Sequence, residues 1–419
     1  MTSDIRAHAS RREPFGLHLF SSFLGNLVLP IFYIFLPLFA VKIGAGPLEV
    51  GLVGGVANAV YAFMPFVMGH FSDRRGSRMF FIVSSFAVLT VVSLSYSLVA
   101  SPATLIVLRV FEGIGWAMLW PALEAGITAD ASRDSRRSLS IFNLTWSAGA
   151  CAGPAVGTAL IVLGSYHLAF QATAWVLAIC LAANLYSLAK NRTGNGAEQA
   201  HHPMSQAVRE VFSGKNPPRA FQVRFSVAAI ALSSVSSGVL FTFFGPYAKN
   251  LGISLTVIGA VTFSYGVARL ATYFATTRAA VRNRLLTHRN MATLLALVIV
   301  SLSSLLLILR DSTTILYFVS FGLVAFAYSV IYAIGQVTMI AEASPSQMGA
   351  GAGVFESSIG LGAAVGPIIG GAISGPSFAL AFLVPPAGLL VVGLLTSILF
   401  RSRKRDNFSS SDAVTIEGY

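Results

Sequence analysis

Apolar runs long enough to cross a bilayer, which takes about 20 residues, recur along the chain at 17–41, 50–68, 79–99, 104–129, 139–163 and 168–189. A polar stretch, 190–224, follows, with Gly194, Gly196, Pro203, Pro217 and Pro218 and no long apolar run. It predicts a linker at one membrane face, with a short amphipathic helix at 204–212. Six more runs fall at 225–248, 256–276, 291–309, 314–341, 352–373 and 378–399. The pattern predicts an all-α polytopic membrane protein with twelve transmembrane helices in two six-helix halves, 17–189 and 225–399, between a polar N-terminus (1–16) and a polar tail (400–419).

The halves repeat. Ile43-Gly44 and Gly51 recur 208 residues later as Leu251-Gly252 and Gly259, and the stretch Gly149–Gly157 recurs 213 residues later as Gly362–Gly370. Two matches at nearly one offset predict pseudo-symmetric halves about an axis along the membrane normal, with a substrate site near the midplane between them.

Composition agrees with this pattern: 55% of residues are hydrophobic, 11% are charged and mean hydropathy is +0.74, whereas soluble chains carry about 25% charged residues. The net charge of +12 is a matter of placement. Of the 28 Lys and Arg, 23 lie in the termini, the linker and alternate loops, three (Lys42, Lys249, Arg310) lie in the opposite loops, and Arg109 and Arg269 lie within spans. That asymmetry predicts both termini in the cytoplasm and argues against a nucleic-acid patch. Cys151 and Cys180 sit inside spans, so no disulfide framework or metal site is predicted. No small-residue cleavage site follows Arg6, Arg11 and Arg12, so the first span is expected to be retained. With no phosphate loop and no catalytic constellation, neither an enzyme nor a cofactor is predicted, and ATP is not the energy source in this chain.

Four groups of residues carry candidate chemistry. Gly69–Arg78 reads as a tight, charge-dense loop between spans two and three, in which Asp73, with Arg74, Arg78 and Asp130 at the same face, is expected to latch a cytoplasmic gate. Gly69 and Gly76 would permit its sharp reversal. In span four, Arg109, Glu112, Trp116, Trp120 and Glu124 fall within roughly 120° of one helix face. A charge at the bilayer centre costs about 2.5–3.5 kcal/mol on insertion scales, so these groups should face a partner or a cavity.

Arg109 and Glu112 form either a buried pair that orients helices or a proton-coupling element that alternates between paired and protonated states. Glu124 and Glu356 are further coupling candidates. The offset of 213 makes Asn143 the counterpart of Glu356 and puts Gly322 where Arg109 would repeat, so titratable groups concentrate in the first half. Arg269, in span eight, is expected either to pair with Glu356 or a charged loop as a gate, or to touch substrate.

Asn26, Tyr33, Asn58, Tyr61, Trp116, Trp120, Asn143, Trp146 and Tyr265 put polar-tipped groups at mid-span, as packing or as the walls of a cavity for an amphipathic ligand. Finally, Gly149, Gly153 and Gly157 are spaced by four and line one helix face beside Pro154, repeated as Gly362, Gly366, Pro367 and Gly370. They form a packing seam, a proton-tight hinge between the halves, or both.

These motifs resemble those of the major facilitator superfamily. Gly69, Asp73, Arg74, Gly76 and Arg78 match its loop signature, Gly-x-x-x-Asp-Arg-x-Gly-Arg-Arg, with Ser77 replacing one basic position. Arg109, Gly113 and Gly115 match the fourth-span signature Arg-x-x-Gln-Gly-x-Gly, with Glu112 in place of Gln. The stretch from Gly149 is similar to the fifth-span antiporter signature Gly-x-x-x-Gly-Pro-x-x-Gly-Gly, with Thr158 for the final Gly. The resemblance covers nearly the whole chain. It implies a secondary active transporter working by alternating access, most like the twelve-span drug:proton antiporters. Such a protein would export hydrophobic or amphipathic small molecules with protons as coupling ion, as a monomer in the plasma membrane. The alternatives are a proton-coupled or facilitative importer of a sugar or carboxylate, and a non-transporting membrane sensor on the same fold.

Overall fold

The computed structural model describes residues 14–75, 78–128, 135–190, 212, 217–309, 314–341 and 348–394, and within them the chain is helical almost throughout. The first half holds α1 (Phe15–Lys42), α2 (Pro47–Arg75), α3 (Arg78–Tyr96), α4 (Pro102–Thr128), α5 (Ser135–Leu163) and α6 (Tyr166–Lys190). The second holds α7 (Pro217–Asn250), α8 (Leu255–Thr277), the short α9 (Ala279–Thr287), α10 (Arg289–Leu302) continued by a 3-10 turn, α11 (Ile315–Gln336) continued by a π turn, α12 (Met348–Ile373) and α13 (Phe378–Leu394). Eleven of these helices are long and apolar enough to cross a membrane, and α13 is a shorter apolar helix. Helices suit lipid because each backbone polar group finds its partner within the segment, and neighbours compensate for Pro30, Pro37, Pro121, Pro154, Pro246 and Pro367 inside them.

Two boundaries differ from the sequence expectation. The backbone of α2 stays helical to Arg75 and α3 begins at Arg78, so helix occupies the loop expected over Gly69–Arg78 except at residues 76 and 77, which lie outside the described residues. The apolar run ends near Met68, but no strong helix breaker occurs after Gly69 until Gly76, and helical hydrogen bonding continues past the end of the hydrophobic segment. Helix α7 begins at Pro217, inside the stretch read as linker. A proline's fixed φ and missing N–H suit the first turn of a helix. The amphipathic helix expected at 204–212 lies, save its last residue, outside the described residues, as do 1–13 and 395–419.

The repeat holds at the level of single hydrogen bonds. After α1, the Ala45 N–H donates to Ala40 O and the Gly44 N–H to Val41 O; after α7, the Ile253 N–H donates to Ala248 O and the Gly252 N–H to Lys249 O. Both are Schellman ends. Gly44 (φ 92°) and Gly252 (φ 77°) take the left-handed conformation that the motif requires.

The glycine stripes fasten corresponding helices. Backbone of α1 at Phe23 and Leu27 presses on Gly149 and Gly153, and Phe35 on Gly157. Backbone of α7 at Ala231 and Val235 presses on Gly362 and Gly366, and Phe243 on Gly370. Each α1 residue lies 208 positions before its α7 equivalent. The stripes therefore seal α5 to α1 and α12 to α7 inside each half, as the packing-seam reading expects, and their glycines do not face the opposite half as the hinge reading requires. Contact between the halves uses other faces. Helix α2 packs on α12 through Gly51, Gly55, Gly360 and Gly371, and α5 packs on α8 through Cys151 and Thr158 against Gly266 and Gly259.

Candidate functional site: a cavity between the halves

A cavity of about 190 Å³ lies on the axis between the halves. Its wall repeats as the chain does. At an offset of 208, Pro30 and Tyr33 on α1 correspond to Gly238 and Phe241 on α7, and Gly54, Ala57, Asn58 and Tyr61 on α2 correspond to Thr262, Tyr265, Gly266 and Arg269 on α8. Trp146 and Ala150 on α5 correspond, at 213, to Ile359 and Ala363 on α12; Trp116 and Trp120 on α4 correspond, at 212, to Tyr328 and Tyr332 on α11. Most of the wall is apolar or aromatic, as suits a site for an organic ligand.

Every predicted cavity residue except Asn143 lies on this wall. Trp116 stacks on Trp120 with ring centroids 5.6 Å apart and 9° between planes. The Tyr33 hydroxyl donates to Asn58 Oδ1 at 2.9 Å, and Asn58 Nδ2 donates to Gly54 O at 3.0 Å. Asn26 Nδ2 donates to Ser22 O at 3.1 Å, one helical turn back. Asn143 stands behind the wall, where Trp146 Nε1 donates to its Oδ1 at 3.0 Å and its own Nδ2 donates to Gln336 Oε1 at 2.7 Å.

Polar groups divide between two opposed walls. On one, Glu356 of α12 meets the first half: the Tyr61 hydroxyl donates to its Oε2 at 2.6 Å, and the Glu124 carboxyl of α4 lies in hydrogen-bond reach. Both acids are buried. A hydrogen bond between two carboxyls needs a proton on one of them, since an ionised carboxylate only accepts. On the other wall stands Arg269, half-buried, with its guanidinium carbon 4.1 Å from the ring centroid of Trp146 and 5.1 Å from that of Tyr328. The rings of Tyr273 and Tyr265 lie at 5.8 and 5.9 Å. The expected alternative of an Arg269–Glu356 pair is not what the structure holds.

Pseudo-symmetry explains this division. Glu356 and Glu124 bridge α12 and α4; their counterparts Asn143 and Gln336 bridge α5 and α11. The acids of one interface are amides in the other. Tyr61, which serves the acids, is replaced by Arg269, which faces the amides.

Arg109 and Glu112 lie elsewhere. Arg109 Nη1 donates to Glu112 Oε2 at 2.5 Å and its Nε donates to Val53 O of α2 at 2.7 Å. Glu112 also accepts from the Tyr96 hydroxyl of α3 at 2.5 Å and from Trp116 Nε1 at 3.0 Å. Neither charged group reaches the cavity wall. The 120° arc drawn from sequence was wide enough to span two environments: Trp116, Trp120 and Glu124 face the cavity, while Arg109 and Glu112 turn into the crevice with α2 and α3. Arg78 begins α3, whereas the side chains of Gly69, Asp73 and Arg74, and residues Gly76 and Asp130, lie outside the described residues.

Sequence reading missed Tyr328, Tyr332 and Phe241 on the wall. A signal existed, since these residues repeat Trp116, Trp120 and Tyr33.

A bilayer-spanning pair of pseudo-symmetric bundles around a cavity is the architecture of a secondary transporter. The Major Facilitator Superfamily model matches residues 18–225 and again 226–414, and the chain belongs to that family. Among its relatives, the uncharacterised MFS-type transporter Rv0849 of Mycobacterium tuberculosis is 31% identical over 180 residues, which span 40% of this chain and 41% of that protein. A protein of Klebsiella pneumoniae that carries the name multidrug resistance protein MdtD is 28% identical over 163 residues, spanning 39% of this chain and 34% of its own length. Solved structures share the fold. The nucleoside transporter NupG superposes with a TM-score of 0.66 at 16% identity, covering 92% of this chain and 99% of that one. A POT family transporter in complex with 5-aminolevulinic acid superposes with a TM-score of 0.72 at 10% identity, covering 93% and 96%.

Proposed function

We propose that the protein is a proton-coupled transporter that exports amphipathic organic compounds by alternating access, with Glu124 and Glu356 as the proton site. The observation that carries this reading is the acid pair itself, two buried carboxyls from opposite halves in hydrogen-bond reach on the wall of the cavity. With a shared proton the pair joins α4 to α12. Without it, two adjacent carboxylates repel at low dielectric and that wall parts. The groups facing them, Tyr61 and Tyr332, are hydroxyls that bring no compensating positive charge. Proton loss and the separation of the halves are then one event. The aromatic wall and the relative named for multidrug resistance favour amphipathic cargo and export, and the placement of the basic residues favours a plasma-membrane protein with both termini cytoplasmic.

Glu112 is held by Arg109, Tyr96 and Trp116 and stays out of the exchange. In everted vesicles bearing an imposed pH gradient, export appears as uptake. A panel of amphipathic dyes should include members that the wild type accumulates and Glu356→Gln does not, although dye bound to the variant still exchanges at equal pH. A Glu356→Gln variant that concentrates dye as well as wild type would sink the proton-site assignment.

A further inference from the structure

Among the described residues Arg269 is a cation without a countercharge: no carboxylate pairs with it, and the ion pair found there joins Arg109 to Glu112. Its Nε is buried with no hydrogen-bond partner. Around it stand Trp146, Tyr265, Tyr273 and Tyr328. Cation–π contacts of this kind offset much of the cost of holding a charge in the bilayer. They do so without neutralising it. A guanidinium lying on a ring keeps its N–H donors around its rim, in the plane that a carboxylate meets edge-on.

The repeat shows where a protein acid would have been. Tyr61, the counterpart of Arg269, has its acid in Glu356, and the residue at the matching place opposite Arg269 is Asn143. That amide is committed to Trp146 and Gln336. Glu124 and Glu356 belong to the opposite wall of the same cavity.

We infer that Arg269 in its aromatic cage is the binding site for the anionic group of the substrate, an organic carboxylate attached to a flat aromatic or apolar body that fills the rest of the cavity. This names the substrate class for the transport reading given above and rests on it. The carboxylate supplies the negative charge that the described residues do not, and the rings of Trp146 and Tyr328 extend the contact onto the apolar body. A cationic amphiphile would meet Arg269 with like charge.

The test uses purified full-length protein without any gradient, so that it reads binding and not coupling. Three probes of one shape are compared by thermal unfolding: 2-naphthoate, its neutral amide 2-naphthamide, and the cationic 2-naphthylmethylammonium. Naphthoate should stabilise the protein at concentrations at least tenfold below the amide, and the ammonium probe should be weakest. Arg269→Gln should bind acid and amide alike, and Arg269→Lys, which keeps a charge but loses the planar fork, should keep a reduced preference for the acid. Should Arg269→Gln fail to fold, Trp146→Phe provides the second variant, with its acid preference expected to fall. Equal binding of acid and amide by the wild type, or preference for the ammonium, overturns the inference, as does an undiminished acid preference in Arg269→Gln. Acid preference with no transport driven by a pH gradient would sink the coupling proposal and leave this one standing; the reverse result would do the opposite.

Discussion

The Tyr61 hydroxyl donates to Glu356 Oε2 at 2.6 Å, so a side chain of α2 holds a carboxyl of α12 across the boundary between the halves. Removing that donor leaves a buried acceptor short of one partner, which typically costs about 1–3 kcal/mol. Tyr61→Phe should therefore slow transport several-fold while leaving equilibrium binding of cargo intact. Turnover in vesicles set beside binding to purified protein checks this, and equal loss in both would show that Tyr61 serves the ligand and not the acid.

Glu112→Gln should act on stability. Arg109 would keep its place inside the protein and lose its charge partner, and breaking a buried pair on one side costs about 3–5 kcal/mol. Thermal unfolding in detergent should show a large drop, while protein that survives reconstitution still responds to a pH gradient. Unchanged stability with lost coupling would return Glu112 to the proton pathway.

Gly153 and Gly366 should be equally intolerant of a side chain. A Cβ would stand 2.5 Å from Leu27 O at Gly153 and 2.6 Å from Val235 O at Gly366. Overpacking of this kind costs about 1–3 kcal/mol. Either alanine variant should lower the melting temperature by a similar step, because the seams are equivalent. A large effect in one half with none in the other would contradict that equivalence.

Gly44 and Gly252 make the complementary case, since nothing lies within 4 Å of a Cβ added at either. Alanine there meets only the cost of a left-handed backbone, about 1–2 kcal/mol. Both variants should be mildly destabilised and fully active, by unfolding and dye uptake together.

The basic residues predict topology. A protease-cleavable tag after Tyr419 should resist protease added to intact cells and be cut in everted vesicles. Cleavage from outside would invert the orientation.

Most of the architecture was legible because lipid leaves a chain few choices: apolar length sets the helices, and the recurrence of Gly44 and Gly149 as Gly252 and Gly362 announces the repeat. The wall of the cavity was partly legible, since polar-tipped residues at mid-span are conspicuous. The roles within it were harder to assign. Glu112 and Glu124 look alike in sequence, three turns apart on one helix, and only the positions of α2, α3 and α12 decide that the first is enclosed by donors while the second meets another acid. For Arg269 the sequence leaves a gating ion pair and a substrate contact equally open, because an intramembrane base needs a partner of some kind. The amide at Asn143 was already its answer, visible once Tyr61 and Arg269 are seen as equivalents.

Helices α5 and α12 each have two working faces. One is fixed to its own half along a glycine stripe. Away from the cavity, where Tyr61 meets Glu356 and Asn143 meets Gln336, the other meets the opposite half largely through backbone and small side chains, as where Gly51 lies on Gly371 and Gly266 on Cys151. Surfaces of that kind have no interlocked rotamers to release, so turning one half against the other should meet low friction. It should also bring little intrinsic preference for either orientation. When two orientations are nearly balanced, a ligand or proton that favours one by only about 1.4 kcal/mol changes their ratio tenfold. A bearing this smooth would leave the choice of side to whatever binds in the cavity, which under the proposed function is the cargo and the proton on the acid pair.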